Sequence, residues 1–102
     1  MIYTEEQIFK CLACCEAIID RNLYLAKKWR DSYVQLDTPA MEYYQSIANE
    51  WMRHRMLIRN LLSDRYTTKE IIRRSKGCQK KATQKAVKEL VTQIHNSECE
   101  VE

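Results

Sequence analysis

Apolar residues recur along the first third of the chain at near-heptad spacing: Ile8, Cys11 or Leu12, Cys15, Ile18 or Ile19, Asn22, Leu25 or Ala26, Trp29, Tyr33 and Leu36. No Gly or Pro interrupts them. The pattern predicts one helix from about residue 4 to about residue 35, roughly 48 Å long at ~1.5 Å per residue. Thr4 and Gln7 have the spacing of a capping box, and Glu5 and Glu6 lie where the helix dipole favours negative charge. Asp37-Thr38-Pro39 ends this element and begins the next, with Pro at the first helical position, where a missing amide proton costs nothing. The second seam is stricter. Ala40, Tyr44, Ile47, Trp51, His54, Ile58 and Leu61 alternate steps of four and three, up to a stop near Ser63-Asp64.

A tight turn between the two makes them antiparallel, so residue i faces roughly residue 75 − i. Asn22 then lies opposite His54 or Arg53, Trp29 near Ile47, and Cys15 near Leu61. Asn22 and His54 are the clearly polar members of their seams. Their pairing predicts one polar layer that fixes register at some cost in stability. Tyr66-Thr67-Thr68-Lys69-Glu70 reads as another helix start, capped by Thr67, with a short helix over about 68–76. Gly77 has the place of a C-terminal cap at positive φ. A last helix is expected from about Gln79 to His95, with Ala82, Ala86 or Val87, Leu90, Val91 and Ile94 on its apolar side and Lys81, Lys85 and Lys88 on another face. The acidic tail, residues 96–102, has little to bury and is expected to fray.

The 102 residues include one Gly and one Pro, and 45% are hydrophobic. Alternating β-branched runs and Gly-rich hairpin turns are missing. The expected fold is all-α, a long antiparallel helical hairpin followed by a short helix and a C-terminal helix. It forms a single domain over 1–102: the hairpin at 1–63, a basic helix pair at 64–95, and the tail at 96–102.

Charge changes the picture most. Between Arg65 and Lys88 stand nine Lys or Arg and one acid, Glu70, so this segment is formally +8, the remainder −5, and the chain +3. A basic block of this density implies a polyanionic partner, nucleic acid or an acidic protein surface. Only Tyr66 lies at its edge, so stacking on unpaired bases has little support and duplex backbone contact is the better nucleic-acid reading. Lys outnumbers Arg from residue 76 onward, which suits charge neutralisation more than bidentate base readout.

Within this block, Thr67-Thr68-Lys69-Glu70-Ile71-Ile72-Arg73-Arg74 resembles the opening helix of helix-turn-helix regulators of the LuxR or sigma region-four type, over residues 67–93. The resemblance implies a transcription regulator in which Ala82, Ala86, Val87 and Leu90 form the buried side of a recognition helix. The pattern departs at two places. With Ile71 and Ile72 as the apolar pair, Ser75 falls where Leu belongs and Lys76 where the turn Gly belongs. Shifted by one, Gly77 fits but Arg73 takes a small buried position.

Other chemistries are poorly served. Cys11, Cys14 and Cys15 share one helix, where backbone geometry splays the thiols, and His54, His95, Cys78 and Cys99 offer no second ligand pair, so no metal or other cofactor is expected. Cys11 and Cys15 read as small buried hydrophobes and Cys14 as an exposed flank residue. A nucleophilic Cys15–His54 pair would lie inside a packed seam, no phosphate-cradling loop exists with one Gly, and the expectation is a non-enzyme. Five cysteines without a signal-like N-terminus or a long apolar run point to a cytoplasmic protein with free thiols and no membrane contact.

Tyr24 and Tyr43 lie off the seams with Leu23, Met52 and Met56, an apolar area that a second copy of the chain would cover as a homodimer through the hairpin. The expected function is that of a small regulatory protein that binds duplex DNA. Arg73, Arg74, Lys76, Lys80, Lys81, Lys85 and Lys88 contact phosphates, and Gln79 and Thr83 are the base readers. The alternative is a protein-interaction module, an inhibitor or adaptor that docks its basic face on an acidic groove of a larger enzyme, itself one that binds nucleic acid in one version.

Overall fold

The computed structural model describes the backbone of residues 3–31 and 38–100. Among these residues there are four α-helices and no strand: α1 (Glu5–Arg30), α2 (Thr38–Asn60), α3 (Thr68–Lys76) and α4 (Gln84–Glu100). The all-α class follows the hydrophobic pattern. None of these helices is long and apolar enough to cross a membrane.

α1 starts as its capping box dictates. The Gln7 amide donates to the Thr4 hydroxyl at 3.2 Å, and the Thr4 amide donates to the Gln7 side-chain oxygen at 2.9 Å. It ends at Arg30, earlier than the expected residue 35, where the Asp31 amide closes on the Lys27 carbonyl. The apolar face gives out first: Lys27, Lys28, Arg30 and Asp31 are all exposed, and Trp29, expected in the seam near Ile47, is itself 38% exposed. With nothing to bury, the last turns lack the packing that sustains a helix. Tyr33, Leu36 and Asp37 lie outside the described residues.

α2 packs along α1. Low numbers on one helix meet high numbers on the other, so the two run antiparallel, as the seam arithmetic requires. The contact that fixes their register is an ion cluster. The Glu16 carboxylate, only 13% exposed in its side chain, accepts from Arg59 at 2.7 Å and from Arg55 at 3.3 Å. The expected polar layer of Asn22 and His54 does not form. Asn22 is buried and donates to the Ile18 carbonyl of its own helix at 2.8 Å. His54 stands edge-on to Trp51, ring centres 5.1 Å apart, beside Glu50. Burial lowers the His54 pKa, and Lys88 of α4 acts in the same direction. The imidazole therefore feels the charge of α4 rather than pairing with Asn22 of α1. The α2 seam also drifts, as a 3.6-residue turn must against a seven-residue repeat: Ala48 and Leu62 are fully buried where Ile47 and Leu61 are half-buried.

α3 lies on α1. Phe9 and Tyr66 meet edge to face, with centres 5.7 Å apart, while Arg65 and the Tyr66 hydroxyl both reach Glu5. Ile71 and Ser75 are its buried residues. Ser75 occupies the place where a helix-turn-helix would hold Leu, and its hydroxyl is satisfied by the Ile71 carbonyl at 2.6 Å. A small residue here lets the helix sit beside Ala13 and Ala17 of α1.

Gly77 does not adopt positive φ. Its angles are −79° and −7°, and its amide donates to Arg73 within the last α3 turn. The chain then crosses α1, held there by the Ala82 amide donating to the Lys10 carbonyl at 3.1 Å. That crossing uses residues the pattern gave to helix, so α4 begins at Gln84 rather than at Gln79. The Thr83 hydroxyl accepts from the Ala86 amide and caps it. Val87, Leu90, Val91 and Ile94 bury the α4 stripe against α1 and α2. The helix, expected to end near His95, continues to Glu100; residues 101–102 lie outside the described residues.

Three outcomes follow from this packing. Glu16→Gln should lower the urea-unfolding free energy by about 2–4 kcal/mol, because two half-buried guanidiniums lose their counter-charge. Asn22→Leu should cost less than about 1 kcal/mol, since the amide serves only its own helix. Equal costs would show that Glu16 does not set the register. Gly77→Ala should raise stability by about 0.4–1 kcal/mol, because the new Cβ would lie 3.5 Å from the nearest carbonyl and φ is ordinary. A fall in Tm would contradict that geometry.

Candidate nucleic-acid interface

The sites named by sequence divide into two groups. In the first, α3 places Arg73 and Arg74 in its last turn, one helical turn after Glu70. Arg73 donates to both Glu70 oxygens at 3.1 and 2.9 Å, and Arg74 Nε lies 3.4 Å from one of them. Hydrogen bonds from Arg73 hold the Glu70 carboxyl below its usual pKa range. The Arg74 guanidinium also lies over the Tyr66 ring at 4.6 Å and farther over Phe9. Arg65 is similarly engaged by Glu5 at 3.0 Å. Arg65 and Arg74 reach α1 through Glu5 and Phe9, while Arg73 pairs only with Glu70 of its own helix. All three are already occupied by acids and rings, and offering them to a phosphate means breaking those contacts.

The second group is lysine. Lys69, Lys76, Lys80, Lys81, Lys85 and Lys88 are all exposed, and among the described residues none forms an ion pair. Lys76 and Lys81 come together at one hollow on α1, which also includes Cys78, Glu16 and Asp20. The crossing segment causes this, since the Ala82–Lys10 bond folds the chain back across α1. Lys85 and Lys88 follow on the outer face of α4, with Gln84, Glu89, Thr92 and Gln93 around a shallow depression. Five of the six lysines thus follow one another from the last residue of α3 through the crossing segment to the first turns of α4.

The two expected base readers fare differently. Thr83 is committed to its cap, with its hydroxyl accepting from Ala86 at 3.1 Å. Gln79 is exposed in the crossing segment, not at the start of a helix. The span 77–83 between α3 and α4 is longer than the 3–4 residue turn of a helix-turn-helix pair, and α3 and α4 pack on α1 rather than chiefly on each other.

The three α1 cysteines are all buried, including Cys14, expected on an exposed flank. The reason is α4 and the crossing segment, which cover that side of α1 and bring Lys81 close to Cys14. Burial pushes the Cys11 thiol up to about 11 and Cys15 to about 12, and neighbouring cysteines add to both shifts. Among the described residues no three His, Cys, Asp or Glu side chains gather as a metal ion would require. The interactions that sequence reasoning missed are the Glu16 cluster and the Arg74 stack. Arg55 and Arg59 one turn apart, placed against Glu16 by the seam arithmetic, were a usable signal for the first.

Thiol alkylation at pH 8 followed by peptide mapping should modify Cys78 before Cys11, Cys14 and Cys15. Cys11, Cys14 and Cys15 should react at least about a hundredfold more slowly than in urea, because little thiolate forms at a buried, raised-pKa sulfur. Fast labelling of Cys14 in the native protein would contradict its burial. No protein-family model, curated protein sequence or solved structure matches this chain.

Proposed function

We propose that this protein is a small non-enzymatic binding protein that holds duplex nucleic acid by its phosphates, acting as a regulator by occupying the duplex. The observation that carries this reading is the set of six exposed lysines that form no ion pair among the described residues, five of them following one another from the end of α3 through the crossing segment to the start of α4. Ammonium groups on flexible stems neutralise phosphates without reading base edges. The arginines that might have supplied bidentate base contacts are bound to Glu70, Glu5 and Tyr66, and Thr83 caps α4. Binding is therefore expected to be indifferent to sequence, and Gln79 is the one remaining candidate for a base contact.

Counterion release turns this into a measurement. Titration of a random duplex by fluorescence anisotropy between about 50 and 200 mM salt should give a log–log slope near −5, for about six phosphate contacts. A Lys80→Glu, Lys81→Glu, Lys85→Glu variant should lose most of the affinity and reduce the slope by about 3. An Arg73→Gln, Arg74→Gln variant should leave the slope unchanged while lowering Tm. Absence of salt-dependent binding would overturn the reading and leave the same lysines to an acidic protein groove.

A further inference from the structure

A second surface lies between α2 and α3 and shares no residue with the lysine set. Met52, Met56 and Ile71 form its floor, and Arg53, Arg55 and Arg59 its wall, around a hollow of about 480 Å3. That volume is within the ~300–1,000 Å3 of ordinary ligand pockets. No Asp or Glu lines it. Glu16 meets Arg55 and Arg59 from the α1 side, so one carboxylate serves two guanidiniums, and among the described residues no ion pair involves Arg53. The Arg59 Nε is buried and has no hydrogen-bond partner. Met56, 58% exposed, is among the most solvent-open large apolar residues described. Thr68, the first residue of α3, stands at one end, where the helix terminus adds positive potential.

We propose that this groove docks an acidic amphipathic helix from a partner protein. Apolar side chains of that helix would rest on Met52, Met56 and Ile71, and its carboxylates would pair with Arg53 and the excess charge of Arg55 and Arg59. Charge complementarity selects the occupant. A duplex would have no use for a methionine floor, and a neutral peptide would leave the guanidiniums unanswered. Methionine adapts to varied apolar surfaces, and an apolar helical face set into a groove is a recurring recognition mode. This surface would act alongside duplex binding and does not depend on it.

The test uses the full chain and two fluorescein-labelled peptides. One carries Leu at i, i+3, i+4 and i+7 with Glu elsewhere; the other has Ser in place of each Leu. The leucine peptide should bind in the tens of micromolar and the serine peptide at least about tenfold more weakly. Arg53→Glu with Met56→Glu, both at exposed positions, should weaken the leucine peptide at least about tenfold with an unchanged CD melt. Lys80→Glu, Lys81→Glu, Lys85→Glu should change it by less than about twofold, which separates this groove from the phosphate surface. Four results would overturn the proposal: no binding; equal binding of the two peptides; loss in the lysine variant; or a concentration-dependent dimer of the protein alone that Met56→Glu disperses, because the groove's occupant would then be a second copy.

Discussion

One carboxylate shared by two guanidiniums sets the geometry of this molecule. Apolar seams alone leave an antiparallel helix pair free to slide by a turn at modest cost, because one Leu or Ile layer resembles the next. The Glu16 cluster makes such a slide costly. A displacement would leave two half-buried arginines and a half-buried carboxylate without their partners, and such groups are far more expensive unpaired than paired. The cluster thereby fixes which residues of α2 face α1. That placement determines where the chain emerges at Leu62, where Arg65 and Tyr66 meet Glu5, and which face remains for α4.

Local rules were legible in the sequence and long-range ones were not. Thr4 with Gln7, and Thr67 with Glu70, are spaced so that hydroxyl and amide meet within one turn whatever the rest of the chain does. Periodicity alone predicted the apolar stripe of α4 and, of the α2 seam, Trp51 and Ile58. The errors arose where tertiary contacts outweigh local preference. Gln79 to Ala82 have acceptable helical propensity, but the chain must cross α1 there, and the Lys10 carbonyl takes the Ala82 amide. Gly77 resembled a left-handed cap because Gly so often is one; the crossing segment departs from α3 without that reversal. His54 was assigned to face Asn22 because α4 was not part of the pairing arithmetic. Glu16 was part of neither apolar seam.

The split between arginine and lysine in the basic block has a structural logic. Arginine's planar fork can hold a carboxylate and lie flat on an aromatic ring at once, and Arg74 does both with Glu70 and Tyr66. Lysine lacks that geometry, keeps its hydration and stays in solvent. Composition alone counts the two types together as positive charge. In the folded protein, one type acts as masonry and the other as the exposed electrostatic face, and the candidate site narrows to the second.

The single amide-to-carbonyl link between Ala82 and Lys10 reaches further than its own strength. It converts the stretch after α3 from a dangling arm into a strap lashed across the middle of α1, and it brings Lys76 and Lys81 to a common hollow. The backbone entropy of that stretch is lost when the protein folds, not when a partner arrives. An anionic ligand therefore has to restrain only the lysine stems, each with modest rotamer freedom to give up. Breaking the strap would return that ordering cost to every encounter, even with all the lysines still in place.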